Sequence, residues 1–263
     1  MKLDNMAKRL DGIFKADTSY GWDNAGLIIS PGDLNVRNAL LCLEMTPDVM
    51  QEALERDCQL IVCHHPLIFS AIKKITYDNP VGAMIMQLIK NNTGLYAAHT
   101  NFDKLDKGLN DYVADLMNLT DKRPLIADAG EDCGMGRIGN LSCGMSFDVF
   151  IDYIKEKLSL KSVRIISKSK PDINTVAVVT GAGYEFKQNA FAAGADVYIT
   201  GDIKYHEAME AYLQGFSVID AGHFGSEKFF KDAVYLILEK EFKGEVNFVK
   251  SDRPLDPFET AVF

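Results

Sequence analysis

Short apolar runs rich in β-branched residues alternate with segments of helical periodicity along most of the chain. Leu60–Cys63 and Val197–Thr200 are two such runs, and an amphipathic segment comes after each of them. This alternation is typical of an α/β fold, in which helices connect the strands and cover the sheet. The chain shows no repeated motif of solenoid length and no heptad run, so solenoid and coiled-coil architectures are excluded.

The alternation predicts individual elements. The predicted strands are Ala25–Ile29, Ala39–Leu43, Leu60–Cys63, Leu95–Ala98, Ile138–Cys143, Val163–Ile166, Val176–Thr180, Val197–Thr200, Val218–Asp220 and Val246–Val249. The clearest predicted helices are Leu3–Phe14, Pro47–Arg56, Pro80–Asn91, Leu109–Met117, Phe147–Leu158, Ala190–Ala193, His206–Gln214 and Glu227–Phe242.

A polar, turn-rich stretch over residues 120–136 is the best candidate for a domain junction. It contains Pro124 and the acid pair Glu131-Asp132, which are typical of loops. We therefore expect a second lobe to begin there. The predicted division is into a metal-binding lobe, residues 1–122 with 215–263, and a second α/β lobe, residues 123–214.

Charge and cysteine content restrict the environment and the partners of the chain. The formal net charge of -9 opposes attraction to nucleic acid and to anionic lipid, which both favour basic proteins. No apolar run approaches the roughly 20 residues of a membrane span, and the N-terminal residues lack the pattern of a secretion signal. The five cysteines form no C-x-x-C pair and are expected to be reduced thiols. We expect a cytoplasmic protein that binds neither membrane nor nucleic acid.

All five histidines follow the ends of predicted strands, directly or within a few residues. They are His64, His65, His99, His206 and His223. In open α/β sheets, ligands bind beyond the carboxyl ends of the strands, so side chains distant in sequence can converge there. The placement of the histidines therefore predicts a functional site.

The first two histidine segments offer metal ligands in the pattern of a two-ion site. His64 and His65 are adjacent and precede Pro66, which disfavours a helical conformation for His65. Neighbouring extended residues point in different directions, so the pair suits two neighbouring ions better than one. Asp103 follows His99 closely, and its carboxylate can bridge two cations. The alternatives are a histidine bonded to a backbone carbonyl and an aspartate that caps a turn.

The last two histidine segments each add an acid. His223 and Glu227 are four residues apart, so one helical turn would place both on the same face, although Glu227 could also simply favour a helix N-terminus. Asp202 and His206 have the same spacing and could orient ligands, transfer protons or contact substrate. Position 210 is Glu210, so the H-E-x-x-H motif of zinc proteases is absent.

Other motifs favour structural roles. Asp23 is explained adequately by a turn, and Cys63 by burial at the end of an apolar strand. The G-x-G-x-x-G pattern at Gly134–Gly139 precedes a predicted strand and opens no helix, so we reject a dinucleotide fingerprint. Gly181-Ala182-Gly183 does follow a strand but lacks the third glycine of that fingerprint.

Six motifs taken in order resemble one family, the GTP cyclohydrolase 1 type 2 homologues, also called NIF-three-like proteins. The motifs are Asp23-Asn24-Ala25-Gly26-Leu27, His64-His65-Pro66, His99-Thr100-Asn101-Phe102-Asp103, Gly134-Met135-Gly136-Arg137-Ile138-Gly139, Thr200-Gly201-Asp202 and Gly222-His223-Phe224-Gly225-Ser226-Glu227. The likeness runs from about position 20 to 230. Phe102 and Phe224 stand where the family often has Leu and Tyr, and neither change removes a ligand.

The resemblance implies a fold, an assembly and a ligand set. The implied subunit is α/β and two-lobed, each lobe a mixed β-sheet flanked by helices, with a dinuclear metal site between the lobes. The implied assembly is a homohexameric ring. The family's metal-ligand positions fall on His64, His65, Asp103, His223 and Glu227, and His99 and Asp202 fall near them.

These considerations lead to the hypothesis of a dinuclear-metal-dependent hydrolase similar to GTP cyclohydrolase 1 type 2. It would act on a nucleotide or related small molecule through a metal-bound hydroxide, with His99 or His206 as the proton-transfer group. Mixed histidine and carboxylate ligands suit zinc, iron, manganese or nickel and do not select among them. No guanine-reading motif is visible, so phosphoester and amide-like substrates remain open. The alternative is a metal-binding regulatory or partner-binding protein with little intrinsic catalysis.

Overall fold

The chain forms two compact units, each with its own sheet and helices. The structure is a computed structural model that describes residues 1–128, 133–253, 256–259 and 261. The first unit consists of Met1–Phe102 with Phe230–Pro257, and the second consists of Asp103–Phe229 with a short C-terminal segment that begins at Phe258. Both units contain a mixed sheet flanked by helices, which confirms the predicted α/β class.

The first unit contains a sheet with strand order β1-β4-β3-β2-β11. Its strands are β1 (Gly26–Ile29), β2 (Asn38–Cys42), β3 (Leu60–Cys63), β4 (Gly94–Ala97) and β11 (Asn247–Lys250). Its helices are α1 (Leu3–Phe14), α2 (Pro47–Glu55), α3 (Pro80–Lys90) and α10 (Phe230–Phe242), and the short helix α4 (Thr100–Lys104) crosses the boundary between the units. All neighbouring strands are parallel except β1, which pairs antiparallel with β4.

Local sequence explains the elements of the first unit. Every residue of β3 and β4 is buried, as expected for parallel strands covered on both faces. The side chains of Thr46 and Asn79 cap the N-termini of α2 and α3, and a proline occupies the first turn of each helix.

The second unit contains a sheet with strand order β5-β6-β8-β9-β10-β7. Its strands are β5 (Thr120–Ala127), β6 (Gly134–Met145), β7 (Arg164–Ile166), β8 (Ile173–Val178), β9 (Val197–Thr200) and β10 (Val218–Asp220). Its helices are α5 (Leu109–Leu116), α6 (Phe147–Lys157), α7 (Lys187–Ala192), α8 (Tyr205–Gln214) and α9 (His223–Glu227). Strands β8, β9 and β10 are parallel, and the outer pairs are antiparallel.

The structure differs from the sequence-based expectation around the predicted junction. Thr120–Ala127 forms strand β5 rather than a turn-rich connection, while Glu131 and Asp132 lie outside the described residues. Pro124 is compatible with this strand because β5 is at the edge of its sheet. The bounds of the units also differ from the predicted division, since β10 pairs with β9 in the second sheet.

The predicted helix Glu227–Phe242 is two helices in the structure, α9 and α10. The break separates Glu227 from Phe230, the first residue of α10. Glu227 therefore belongs to the same short helix as His223, four residues before it.

The glycines of the G-x-G-x-x-G pattern lie inside strand β6 and allow close packing between strands. A Cβ atom on Gly136 would lie 2.5 Å from Val179 Cγ2 and 2.8 Å from the Val178 carbonyl oxygen. The backbone of Gly136 also has a φ of 66°, in the left-handed region that favours glycine. The pattern thus has a packing role in this sheet.

The same motif buries an arginine. Arg137 is 2% exposed, and its guanidinium donates hydrogen bonds to the carbonyl oxygens of Gly134, Gly136 and Leu105. It also lies 2.6 Å from the carboxylate of Asp111. Burial raises the pKa of the Asp111 carboxyl, but its hydrogen bond and ion pair with Arg137 outweigh this and hold the pKa below its usual value. The charge of Arg137 is therefore compensated inside the second unit.

Two observations bear on the environment of the chain. The five cysteines are free thiols, and only Cys143 among them is exposed. Within the described part of the chain, no helix has the length and apolar character needed to cross a membrane.

We expect Asp111→Ala to lower the free energy of unfolding by about 3–5 kcal/mol at neutral pH, because it leaves the buried Arg137 without its counter-charge. The folded-state pKa of Asp111 is lowered, so the stabilisation is present above the usual aspartate pKa and is lost as pH falls through the folded value. The difference between wild type and variant should therefore shrink below about pH 4. Urea denaturation at several pH values measures it.

Asp115→Ala is the matched control. The Asp115 side chain is 66% exposed and pairs with Lys122 on the surface. Its loss should change the unfolding free energy by less than about 1 kcal/mol. Equal effects of the two variants at neutral pH would contradict the importance of the buried pair.

Candidate metal centre

Three histidines converge in the first unit. Strands β3 and β4 are parallel neighbours, so their carboxyl ends lie at the same edge of the sheet. His64 and His65 directly follow β3, and His99 follows β4 by two positions. One ligand atom from each ring lies within 4.8 Å of those from the other two. The structure thus brings together three of the predicted site residues.

The rings of His64 and His65 are each fixed through Nδ1. His64 Nδ1 lies 2.7 Å from the carbonyl oxygen of Ala98, and His65 Nδ1 lies 2.7 Å from Glu44 Oε2. Both partners are acceptors, so in the neutral ring each Nδ1 carries the hydrogen and each Nε2 carries the lone pair, the arrangement of a metal-binding histidine. The His64 ring also packs on Phe230, with centroids 4.9 Å apart, and the residue is fully buried.

His99 is oriented by a carboxylate that sequence reasoning assigned to a structural turn. Asp23 Oδ1 lies 2.7 Å from His99 Nδ1, while Asp23 Oδ2 accepts hydrogen bonds from the backbone and hydroxyl of Thr100. Burial raises the pKa of the Asp23 carboxyl, but the hydrogen bonds from His99 and Thr100 lower it overall to about 2. Asp23 is therefore an ionised carboxylate that holds His99 in one tautomer.

The second unit presents a histidine and a carboxylate on helix α9. His223 Nε2 and Glu227 Oε2 are 3.0 Å apart, which agrees with the predicted spacing of one helical turn. His223 Nδ1 lies 2.7 Å from Asp202 Oδ2. The ring is therefore oriented in the same way as the histidines of the first unit, with Nε2 directed at the Glu227 carboxylate.

Asp202 occupies an unusual backbone conformation. Its φ of 55° lies in the left-handed region, which costs free energy for a residue other than glycine. The residue directly follows Gly201 after strand β9, and its carboxylate reaches the His223 ring from there. This geometry indicates that Asp202 acts as a positioning residue.

Gly181 makes room for the Glu227 carboxylate, a role that the sequence did not reveal. A Cβ atom at Gly181 would lie 2.1 Å from Glu227 Oε1 and 3.4 Å from His223 Nε2. Its backbone N–H donates to Ser226 Oγ at 3.0 Å. The available signal was a glycine just beyond a parallel strand, the edge of the sheet where ligands bind.

Asp103 and His206, two further predicted site residues, lie on helices α4 and α8. Asp103 is 7% exposed on α4, and its backbone carbonyl accepts a hydrogen bond from Asn110 Nδ2. His206 lies at the start of α8, where it is exposed and its ring contacts Tyr205 at 5.4 Å between centroids. The bridging role of Asp103 and the proton-transfer role of His206 stay predictions.

The donor atoms suit divalent transition metals. The first unit offers three imidazole rings and the second unit one, each oriented by a hydrogen bond at Nδ1, and the second unit adds the buried carboxylate of Glu227. Zinc, iron, manganese and nickel are bound by such nitrogen and oxygen ligands. These clusters of histidine and glutamate could therefore bind a metal.

Comparisons with known proteins agree with the six motifs. The family described as Duf34/NIF3 (NGG1p interacting factor 3) matches residues 1–257. The GTP cyclohydrolase 1 type 2 homolog of Clostridium perfringens is 34% identical over 264 residues, which cover 98% of this chain and 99% of that protein.

Solved structures share the fold. The crystal structure of Staphylococcus aureus hypothetical protein SA1388 superposes with a TM-score of 0.93 at 29% identity, covering 99% of both chains. That of a Bacillus cereus protein related to NIF3 gives a TM-score of 0.92 at 24% identity, also over 99% of both chains. The similarity thus extends over the whole chain.

We expect Asp202→Gly to weaken metal binding by about 10-fold to 100-fold, because the His223 ring loses the partner that orients it. Glycine fits the left-handed backbone and the Asp202 side chain is 51% exposed, so the unfolding free energy should change little. Isothermal titration with Zn²⁺ or Mn²⁺ measures the affinity. Asp121→Gly is the matched control, since Asp121 is exposed with a φ of 50°. If both variants bind metal like wild type, Asp202 has no positioning role.

Proposed function

The chain belongs to the Duf34/NIF3 family, and we propose that it is a hydrolase dependent on two divalent metal ions. The proposed ligands are His64, His65, Asp103, His223 and Glu227. The proposed substrate is a nucleotide or a related small molecule. Divalent ions held by such ligands would lower the pKa of bound water and offset negative charge on an attacked phosphoryl or carbonyl-like centre.

The observation that carries this proposal is the shared state of four histidine rings. In each ring Nδ1 lies 2.7 Å from an oxygen acceptor, so in the neutral ring Nε2 is the nitrogen that carries the lone pair. Fixing several rings in one orientation costs side-chain freedom, and metal ligation, or proton transfer in the case of His99, is the chemistry that uses it.

His99 is proposed to transfer protons. Its Nε2 can take a proton from a nucleophile or give one to a leaving group, while Nδ1 stays bonded to Asp23. The ionised Asp23 carboxylate would stabilise the imidazolium formed in between. His206 remains the second candidate for this role, from its exposed place on α8.

The name of the Clostridium perfringens relative makes GTP the first compound to test, followed by a panel of phosphoesters. After reconstitution, we expect about two equivalents of transition metal per chain by elemental analysis, since binding at both ligand sets is proposed. We further expect Asp103→Ala to abolish turnover with the unfolding free energy retained. Asp106→Ala, at an exposed position three residues after Asp103 and outside the proposed ligand set, should be active.

Two results would change the proposal. Less than about one equivalent of metal after reconstitution would contradict a two-metal site. Full metal content with the same trace turnover in wild type and Asp103→Ala would favour a metal-binding regulatory or partner-binding protein.

We also propose a homohexamer located in the cytoplasm, as the family resemblance implies. The free cysteines support the location, because cytosolic thiols are kept reduced. Analytical ultracentrifugation of the metal-loaded protein should give a single species of about six chains. A monomer or dimer over the whole concentration range would contradict the ring.

A further inference from the structure

Two exposed aromatic rings lie against His99 in the first unit. Trp22 is 59% exposed and Phe69 is 54% exposed. Their ring centroids are 5.9 Å apart, and they lie 6.4 Å and 6.3 Å from the centroid of His99. The three rings thus contact one another, and the exposed pair borders the histidine proposed to transfer protons.

The loop that carries Phe69 is tied to the loop that carries Trp22. Asn24 Nδ2 donates a hydrogen bond to the carbonyl oxygen of Ile68 at 2.6 Å. Ile68 is adjacent to Phe69, and Asn24 is two residues after Trp22. The distance between the two aromatic rings is therefore set by a direct contact between their loops.

Trp22 is further fixed by its neighbours on the same loop. Tyr20 stacks on the Trp22 ring with centroids 5.5 Å apart and an interplanar angle of 16°. The backbone N–H of Tyr20 donates to Thr100 Oγ1, next to His99, and that of Asp23 donates to the Tyr20 carbonyl oxygen. These hydrogen bonds hold the stacked rings of Tyr20 and Trp22 beside His99.

Large aromatic rings held in solvent beside polar ligand residues are typical of a binding site. Their π faces stack with other flat rings, and stacking on the indole of tryptophan tolerates different bases because every base has a π face. A phosphate alone offers no such face, and a sugar ring packs on an aromatic ring only through its C–H bonds. The ligand chemistry that fits Trp22 and Phe69 is therefore a planar heterocycle.

We propose that Trp22 and Phe69 form a subsite that binds the planar nitrogen heterocycle of the substrate, of nucleobase size, beside His99. The reaction at His99 rests on the proposed function, whereas binding of the ring does not require turnover. The subsite gives the substrate class a physical basis: the ring is recognised by stacking, and the remainder of the molecule extends towards the histidines.

The sequence offers a direct probe, because Trp22 is the single tryptophan of the chain. Fluorescence excited at the red edge of tryptophan absorption therefore reports on this position alone. We expect saturable quenching of the full-length protein by GMP, AMP or UMP and none by ribose 5-phosphate, which lacks the base. Absence of saturable quenching by all of these nucleotides would overturn the subsite.

Variants of Phe69 test the contact while Trp22 remains the reporter. Phe69→Ala should raise the Kd for the quenching nucleotide by at least about tenfold, and Phe69→Tyr should keep it within about twofold. Tyr77→Ala is the matched control, since Tyr77 is 58% exposed in the same connection and its ring lies by Lys90. An unchanged Kd for Phe69→Ala would contradict the proposal. A Phe69→Ala variant with a changed oligomeric mass and an unchanged Kd would also contradict it, because another copy of the chain would then cover the rings.

Metal content and turnover, measured on the same preparations, separate this inference from the proposed function. Nucleotide quenching without bound metal would support the subsite while the hydrolase proposal fails. If turnover depends on metal but Phe69→Ala changes neither KM nor quenching, the hydrolase proposal stands and the subsite proposal is overturned.

Discussion

A hydrogen bond to Nδ1 decides how each imidazole of the two candidate clusters, one in each unit, can act. The rings concerned are His64, His65, His99 and His223. Because each acceptor is a carbonyl or a carboxylate, a neutral ring carries its hydrogen on Nδ1 and its lone pair on Nε2, and in His223 that Nε2 faces the Glu227 carboxylate at 3.0 Å. The acceptors differ in kind, and three of them are carboxylates that also strengthen the basicity of the ring. The chemistry available at the centre follows from these second partners as much as from the histidines.

In both sheets, candidate site residues follow the ends of two adjacent parallel strands. In the first unit, parallel strands β3 and β4 end side by side, and the histidines follow within two positions. In the second unit, parallel strands β9 and β10 end side by side, and Asp202 and His223 follow within three. Parallel pairing aligns the carboxyl ends of strands, so short loops suffice to bring distant residues together.

Much of this arrangement could be predicted from sequence, and the limits have physical causes. The strands β3, β9 and β10 have the predicted bounds because continuous apolar runs mark strands buried on both faces. Strand β5 was not predicted because Pro124 and its polar neighbours are typical of loops, although an edge strand of a sheet tolerates them. The roles of Asp23 and Glu44 could not be read, since each lies far from its histidine, at separations of 76 and 21 residues. Such pairings exist only in the folded chain.

The discontinuity of the first unit has a consequence for the order of folding during synthesis. Strand β11 pairs with β2 and completes the first sheet, and Phe230 supplies the ring on which His64 rests. Both are synthesised only after the whole of Asp103–Phe229. Until β11 is made, the first sheet therefore ends at β2, whose open flank is an edge prone to non-native pairing.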